Sequence, residues 1–195
     1  MNFSAVILAG GKSSRMGCDK AFVELDGRTL IARQIQLVRD VGATEVFISG
    51  RTGVDYSGYD GRVLEDRFQG AGPLAGIQSA LEAMTSSLLL VLAVDLPCMS
   101  ADFLRKLAGN CVENAGAVPR VNGDIEPLVA FYPKAVLPVA TLLLSQNSLA
   151  VKNFIQRCEQ AGLVTVTDLP ESAASLFLNC NSPDKLESVR RHQAR

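Results

Sequence analysis

The sequence contains a single histidine, His192, which lies among arginines near the end of the chain. A lone histidine in such a charged stretch is typical of a solvent-exposed residue. The composition therefore excludes catalytic triads that use histidine and metal sites built from several histidines. The five cysteines are odd in number and form no Cys-x-x-Cys pair, so neither a zinc ribbon nor a redox pair is indicated. Scattered, reduced thiols are typical of a cytosolic protein.

The chain also lacks long apolar runs and an excess of either charge. The longest purely apolar run, 88–94, is too short to span a membrane, and no basic leader precedes a hydrophobic segment at the N-terminus. Lys and Arg total 19 against 20 Asp and Glu. We therefore expect a cytoplasmic protein with no membrane and no nucleic-acid partner, in which any anion binding is local.

What the sequence does contain is a glycine-rich, basic segment directly after its first apolar run. Residues 6–9 are followed by Gly10-Gly11-Lys12-Ser13-Ser14-Arg15-Met16-Gly17 and then by Asp19-Lys20. Paired glycines bring backbone N–H groups against a ligand, and Lys12, Arg15 and Lys20 place three cations within nine residues. The pattern predicts a strand that ends in a phosphate-binding loop. The alternative is an ordinary turn with solvated charges.

Two better-known glycine loops do not fit this segment. The loop of the P-loop nucleotide hydrolases requires a glycine five residues before Gly11, where the chain has Val6. The dinucleotide fingerprint requires glycine at the position of Lys12. The stretch 70–75 matches a relaxed form of that fingerprint, with Asp95 further on, but it is not the first β-to-α turn. The stretch 70–76 either lines a nucleotide pocket or forms a flexible turn with a packing face of small residues.

Strand-like and helix-like stretches alternate along the 195 residues, 48% of which are hydrophobic, and this predicts one α/β domain over 1–195. The predicted strands are 3–9, 45–49, 62–65, 88–94, 117–121, 127–132, 163–167 and 176–178, and the predicted helices are 29–41, 73–85, 101–111, 149–161 and one from 183, with a helical region around Pro138. The apolar run 88–94 indicates a central parallel strand, and Asn122-Gly123 predicts a hairpin turn before 127–132. The predicted fold is a Rossmann-like, doubly wound, mostly parallel sheet with an antiparallel hairpin excursion.

Acidic residues follow two of the predicted strands. Glu65-Asp66 follows the strand residues 62–64, and Asp95 follows the strand at 88–94. Because the carboxyl ends of parallel strands meet at one edge, we expect these carboxylates to lie near the glycine-rich segment. Mg²⁺ uses one or two carboxylates together with phosphate oxygens and water, and Asp95 is the predicted ligand. The alternative is that Asp95 caps the helix that starts near Ser100, although Ser100 is better placed to do so.

Six motifs of this chain resemble, in order and at similar spacings, those of the molybdenum cofactor guanylyltransferases. They are Leu8-Ala9-Gly10-Gly11-Lys12-Ser13-Ser14-Arg15-Met16-Gly17 with Asp19-Lys20, Glu65-Asp66, Gly72-Pro73-Leu74-Ala75-Gly76, Asp95-Leu96-Pro97, Glu126-Pro127-Leu128 and Phe177-Leu178-Asn179-Cys180-Asn181-Ser182-Pro183. The resemblance covers nearly the whole chain. The double glycine and the Asn-x-Asn-x-Pro motif favour the guanylyl branch over the cytidylyl and sugar-phosphate branches.

The resemblance implies an enzyme that transfers GMP from GTP to the terminal phosphate of molybdopterin or Mo-molybdopterin, forming the molybdopterin guanine dinucleotide cofactor and releasing pyrophosphate. Because the acceptor phosphate is already a competent nucleophile, no histidine base is needed. The resemblance also implies Mg²⁺ bound by Asp95, with Arg15 and Lys20 offsetting charge on the leaving pyrophosphate. Transient contact with proteins of cofactor synthesis or molybdoenzyme maturation is implied as well.

By the same resemblance, about 1–115 would bind the nucleotide and about 116–195 the acceptor. The residues implied to contact the nucleotide are Leu8, Ala9, Gly10, Lys12, Lys20, Ser49, Asp66 and Asp95. Ser49 stands where the family often has Asn. Asn179 and Asn181 are implied to receive the pterin substrate; alternatively, they cap the following helix. Glu126 and Pro127 are implied to border the acceptor site; the alternative is that the hairpin alone explains them.

Two other functions remain open from the sequence alone. One is a nucleotidyltransferase that uses CTP, with molybdopterin or a sugar phosphate as the acceptor. The other is a non-catalytic module that binds the cofactor and helps insert it into target enzymes. The combination of Arg15, Lys20 and Asp95 argues against a mere binding module, because such a module needs no metal-binding carboxylate directed at phosphates.

Overall fold

The computed structural model describes residues 2–10 and 19–180. In chain order, its elements are β1 (Ser4–Leu8), β2 (Glu24–Leu25), β3 (Arg28–Thr29), α1 (Leu30–Val41), β4 (Glu45–Ser49), β5 (Arg62–Leu64), α2 (Pro73–Ala83), β6 (Leu88–Ala93), α3 (Ala101–Gly109), β7 (Gly116–Val121), β8 (Asp124–Ile125), β9 (Val129–Pro133), α4 (Leu137–Ser145), α5 (Val151–Gln160) and β10 (Val164–Asp168). Short 3-10 helices occupy Lys20–Phe22, Lys134–Val136 and Glu171–Phe177.

An eight-stranded sheet forms the centre of the molecule. Its strand order is β10-β7-β9-β6-β1-β4-β5, and β8 pairs with β7 away from this path. The pairs β5–β4, β4–β1, β1–β6 and β7–β10 are parallel, whereas β9 runs antiparallel to both of its neighbours. The prediction of a doubly wound, mostly parallel sheet with an antiparallel excursion is therefore confirmed.

Helices cover both faces of the sheet because the sheet is apolar on both faces. Alternate residues of β1 belong to two separate hydrophobic clusters, Ala5 and Ile7 to one, and Val6 and Leu8 to the other. The first cluster includes the apolar faces of α1 and α3, and the second includes those of α2, α4 and α5. This alternation follows from the period of two along a strand.

Local capping signals place several helix ends where the sequence predicts them. Thr29 caps α1 by accepting a hydrogen bond from the Ala32 N–H, and Gly42 ends the helix in the left-handed conformation, with φ 107°. Pro73 occupies the first turn of α2, where its missing N–H costs nothing. These predicted boundaries are correct because each depends on one residue and its immediate neighbours.

The structure corrects three of the predicted strands. The strand at 88–94 is central, but it is parallel only to β1, because β9 pairs antiparallel with its other edge. The Asn122-Gly123 turn leads into the short strand β8 instead of directly into β9. Residues 176–178 form no strand, because Phe177 ends a 3-10 helix and packs edge-on against Phe103 with ring centroids 5.6 Å apart. Residues 176–178 instead pack on the first hydrophobic cluster, which includes the apolar face of α3.

A second hairpin, formed by β2 and β3, was not predicted. Its turn residues Asp26 and Gly27 have φ values of 52° and 74°, as a type I′ turn requires. The predicted helix from 183 lies outside the described residues. Among the residues described, no helix combines the length and the hydropathy needed to cross a bilayer.

Candidate functional site

The carboxyl ends of four parallel strands lie side by side at one edge of the sheet. Leu8, the last residue of β1, is paired with Ser49 on β4 and with Ala93 on β6, and β5 pairs with β4 on its far side. Asp66 and Asp95 follow β5 and β6 within two residues. The topology therefore brings four of the predicted site residues to a single edge, as expected for a ligand site in this class of fold.

The backbone after β1 is held on both sides. The N–H groups of Ala9 and Gly10 both donate to the carbonyl oxygen of Ser49, at 2.8 and 3.1 Å, and the carbonyl oxygen of Leu8 accepts from the N–H of Val94 at 3.1 Å. These bonds extend the pairing of β1 past the end of the strand. The chain thus enters the glycine-rich segment from a fixed position.

Lys20 and Asp95 form an ion pair at this edge. The Lys20 Nζ lies 3.3 Å from Asp95 Oδ2, and the two side chains are 25% and 21% exposed. Asp95 does not cap α3, because the Ser100 side chain accepts the capping hydrogen bond from the Phe103 N–H. The alternative role for Asp95 is therefore excluded, and the carboxylate remains at the end of β6 beside a cation.

The main chain around Asp95 is fixed by two contacts from distant segments. The side-chain amide of Gln34 on α1 donates to the carbonyl oxygen of Leu96 at 2.8 Å, and the Cys180 N–H donates to the carbonyl oxygen of Asp95 at 2.9 Å. Gln34 was not predicted as a site residue. The available signal was its polar side chain on the apolar stripe of α1, where it is only 2% exposed.

Ser49 and Asp66 contact each other beside this backbone. The Ser49 hydroxyl lies 3.3 and 3.4 Å from the two carboxylate oxygens of Asp66 and donates to them. Burial raises the pKa of Asp66, and the hydrogen bond from Ser49 acts in the opposite direction. Gly76 on α2 packs so closely on Ser49 that a side chain there would overlap the hydroxyl. The packing-face interpretation of the glycines near α2 therefore holds for Gly76.

Tyr56 is a second residue that the sequence did not reveal. Its hydroxyl donates to Asp19 Oδ2 at 3.2 Å and accepts from the Arg51 N–H at 3.2 Å. Asp19 also caps the 3-10 turn that carries Lys20, because its Oδ1 accepts from the Ala21 N–H at 3.0 Å. A buried tyrosine links this turn to the chain after β4.

The predicted acceptor residues are only partly described. Asn179 directly precedes Cys180, whose N–H is bonded to Asp95, so its backbone lies close to the end of β6. Glu126 begins the segment that reaches the same place, because the carbonyl oxygen of Leu128 accepts from the Ala93 N–H at 2.8 Å. Burial, and to a smaller extent Asp124, raises the pKa of Glu126. Lys12, Arg15 and Asn181 lie outside the described residues.

The described residues contain no group of three or more His, Cys, Asp or Glu side chains that would hold a metal ion by themselves. Asp95 instead offers one carboxylate at a strand end, next to the chain that leads to the glycine-rich segment. One carboxylate is sufficient for Mg²⁺ when phosphate oxygens and water complete its coordination. The donor set therefore fits a metal that arrives with a nucleotide triphosphate.

Known proteins resemble this chain over nearly its full length. The model of the MobA-like NTP transferase domain matches residues 5–163. The chain is 36% identical over 194 residues to a probable molybdenum cofactor guanylyltransferase from Opitutus terrae, covering 98% of this chain and 96% of that protein. It is 34% identical over 192 residues to a probable molybdenum cofactor guanylyltransferase from Carboxydothermus hydrogenoformans, covering 96% and 95%.

A solved structure shares the fold. The crystal structure of molybdopterin-guanine dinucleotide biosynthesis protein A from Archaeoglobus fulgidus aligns with a TM-score of 0.78 at 22% identity, covering 98% of each chain. At this level of identity the likeness concerns the architecture.

Proposed function

The chain belongs to the molybdenum cofactor guanylyltransferases within the MobA-like NTP transferase family, and from this premise we propose that it transfers GMP from GTP to the terminal phosphate of molybdopterin or Mo-molybdopterin. Pyrophosphate is released, and molybdopterin guanine dinucleotide is formed. The observation that supports this proposal most directly is the Lys20–Asp95 pair at the carboxyl edge of the sheet. A cation and a carboxylate at this position suit a phosphate chain and its metal ion.

The proposed reaction needs positioning and charge stabilisation more than proton transfer. The acceptor phosphate attacks the α-phosphate of GTP, a new P–O–P bond forms, and the bond to the β-phosphate breaks with its electron pair on pyrophosphate. Lys20 offsets the charge that accumulates on the leaving group. Because no side chain has to remove a proton from the nucleophile, the lack of a histidine in this part of the chain is no obstacle.

We assign the magnesium role to Asp95, whose carboxylate fits a metal ion that is completed by phosphate oxygens and water. When bound, the ion would polarise the α-phosphate. Asp95 is held for this role by the contacts of its backbone with Cys180 and of the next residue with Gln34. These bonds fix the direction in which β6 ends, so the carboxylate needs little reorganisation when the nucleotide binds.

The remaining roles are divided between a nucleotide-binding part and an acceptor-binding part of the chain. Within a nucleotide-binding part at about 1–115, Leu8, Ala9 and Gly10 line the guanine pocket with Ser49 and Asp66 nearby. Their backbone N–H and C=O groups are partly engaged in holding the strands together, which keeps the pocket wall rigid. An acceptor-binding part at about 116–195 provides Asn179.

Three roles concern residues outside the described part of the chain. We assign Lys12 and Arg15 to the phosphates, and Asn181 to the pterin. As part of the same proposal, the enzyme works in the cytoplasm. There it transiently contacts proteins of cofactor synthesis or molybdoenzyme maturation, since an oxygen-sensitive product is better handed over than released.

Calorimetric titration with GTP, CTP, ATP and UTP, each with and without Mg²⁺, tests the nucleotide assignment. We expect selective GTP binding that depends on Mg²⁺ and that weakens at least about tenfold in Asp95→Asn, an exchange that keeps the shape but removes the charge. Asp102→Asn is the matched control, because Asp102 is an exposed acid on α3. Its GTP affinity is expected to equal that of the wild type.

The outcomes separate the candidate functions. A preference for CTP would replace the guanylyl assignment with a cytidylyl assignment. Binding that is indifferent to the base and to Asp95 would favour a non-catalytic module. When GTP is selected, pyrophosphate release on addition of molybdopterin completes the test, and Asp95→Asn is expected to abolish it.

A further inference from the structure

The two described residues that flank segment 11–18 are bonded to β4 or to the chain that follows it. Gly10, before the segment, donates its N–H to the Ser49 carbonyl oxygen at 3.1 Å. Asp19, after the segment, accepts a hydrogen bond from the hydroxyl of Tyr56 at 3.2 Å. β4 and the chain that follows it therefore hold Gly10 and Asp19, and Tyr56 provides the second of these attachments.

The ring of Tyr56 has a fixed position. The side chain is 1% exposed, and it fills the space over Gly50 so completely that a Cβ atom on Gly50 would overlap the ring. On its other side, the ring of Phe22 stacks on it with centroids 5.6 Å apart and an interplanar angle of 25°. Because the ring cannot shift, the hydroxyl is presented to Asp19 from a defined point.

The hydroxyl of Tyr56 makes two hydrogen bonds, one in each direction. The hydroxyl oxygen accepts from the backbone N–H of Arg51. This bond directs the hydroxyl hydrogen of Tyr56 towards Asp19 Oδ2. Burial raises the pKa of the Tyr56 phenol, so the group stays protonated at neutral pH and remains a donor. A donor to a carboxylate forms one of the stronger classes of hydrogen bond.

Asp19 transmits this attachment to Lys20. Its Oδ1 accepts from the Ala21 N–H at the start of the 3-10 turn, while its Oδ2 is held by Tyr56. The carboxylate is therefore fixed from both oxygens, and the turn that carries Lys20 is fixed with it. Lys20 in turn reaches Asp95 with its ammonium group at 3.3 Å.

We propose that Tyr56 is a positioning residue for the triphosphate: through Asp19 it sets the place of Lys20. The proposal rests on the proposed function, in which Lys20 contacts the phosphates. Tyr56 touches no substrate in this scheme and acts only through Asp19. Its loss therefore weakens binding of the β- and γ-phosphates and leaves binding of the base and the α-phosphate almost unchanged.

The test compares Tyr56→Phe with Tyr59→Phe in calorimetric titrations with GTP and with GMP. Tyr59 is a close match, because its ring also stacks on Phe22, with centroids 6.1 Å apart, while its hydroxyl contacts Thr29 at 3.2 Å. Tyr56→Phe is expected to weaken GTP binding about tenfold, the usual effect of losing a hydrogen bond to a charged group, with a change in GMP binding below about twofold. Tyr59→Phe is expected to leave both affinities unchanged.

A double-mutant cycle tests whether the effect passes through Asp19. Asp19→Asn weakens the same hydrogen bond from the acceptor side. The loss of GTP affinity in the double variant should therefore be much smaller than the sum of the losses in Asp19→Asn and Tyr56→Phe. Additive effects would refute the proposed route. Equal losses for GTP and GMP, or identical behaviour of Tyr56→Phe and Tyr59→Phe, would show that Tyr56 has a structural role only.

The result also separates this inference from the proposed function. If the wild-type protein selects CTP, the guanylyl assignment fails, and the same comparison of Tyr56 and Tyr59 variants is made with CTP and CMP. If the wild-type protein selects GTP but Tyr56→Phe binds it normally, the guanylyl assignment stands and the inference about Tyr56 is wrong.

Discussion

Gly76 on α2 allows a stringent test of how the nucleotide side of the sheet is packed. A Cβ atom at this position would overlap the Ser49 hydroxyl and lie 2.8 Å from Ser49 Cβ and 2.9 Å from Leu8 Cδ2. Leu8 and Ser49 are the last residues of the buried strands β1 and β4, so neither can move away without disturbing the sheet. The substitution Gly76→Ala therefore places the extra methyl group too close to Ser49 and Leu8, which are both assigned to the nucleotide pocket.

Three contributions determine the size of the effect. Replacing glycine by alanine inside a helix normally stabilises it by about 1 kcal/mol. Overpacking a filled interior costs about 1–3 kcal/mol. If Ser49 turns away to relieve the overlap, it also loses its hydrogen bond to Asp66, a further cost of about 1 kcal/mol. The net expectation for Gly76→Ala is a loss of about 1–3 kcal/mol in the free energy of unfolding.

Gly109→Ala is the matched control. Gly109 is the last residue of α3, and a Cβ atom there would meet nothing within 4 Å, so only the helical preference for alanine acts. We expect this variant to be as stable as the wild type or up to about 1 kcal/mol more stable. Of the two glycine-to-alanine changes, only Gly76→Ala should therefore lower the free energy of unfolding.

Urea denaturation of the two variants and the wild type measures these changes, and GTP titration shows whether the pocket is distorted as well. A loss of about 1–3 kcal/mol corresponds to a decrease in melting temperature of roughly 2–12 °C for a chain of this length. GTP binding is expected to weaken in Gly76→Ala and to stay unchanged in Gly109→Ala. A Gly76→Ala protein that matches or exceeds the wild type in stability would refute this account of the packing.

Two further predictions concern polar contacts at the same edge. Ser49→Ala removes the hydrogen bond that lowers the pKa of Asp66, so this pKa, already raised by burial from 3.8, is expected to rise further in an NMR titration of the carboxyl carbon. Between the unfolded pKa of Asp66 and its higher folded pKa, the folded state binds more protons than the unfolded state. The free energy of unfolding should therefore decrease as the pH rises through this interval, and the interval should be wider in the variant. Gln34→Leu leaves the Leu96 carbonyl oxygen buried without its donor and should cost about 1–3 kcal/mol in urea denaturation, whereas exposed Gln36→Leu should change stability by less than about 0.5 kcal/mol. A raised pKa that does not respond to Ser49→Ala, or equal losses for the two glutamines, would contradict these assignments.

The central strands and the helix ends could be predicted from the sequence because their signals are local. The boundaries of β4 match the prediction, and α1 at Leu30–Val41 lies within one residue of the helix predicted at 29–41. The strand predicted at 176–178 is wrong because a short apolar run indicates burial without saying which surface covers it. There the covering surface is Phe103 on α3.

The site was predictable only as far as the topology determines it. Parallel strands bring Asp66 and Asp95 to one edge of the sheet, so their proximity follows from sequence reasoning, whereas Ser49 was named only through the family resemblance. Tyr56 and Gln34 were missed because each acts through one contact with a residue 37 or 62 positions away. Nothing in the neighbourhood of either residue in the sequence indicates which distant group it meets.

The insertion of β9 between β6 and β7 has a consequence for the order in which the chain can fold. β6, the strand that leads to Asp95, is buried along all six of its residues, and one of its edges is covered only by β9, which begins 36 residues after Ala93. While the chain is being synthesised, the parallel strands β1, β4, β5 and β6 can assemble first, with β6 at the border. For that interval β6 has an unpaired, apolar edge that can pair with other chains, so the strand that leads to Asp95 is exposed to aggregation.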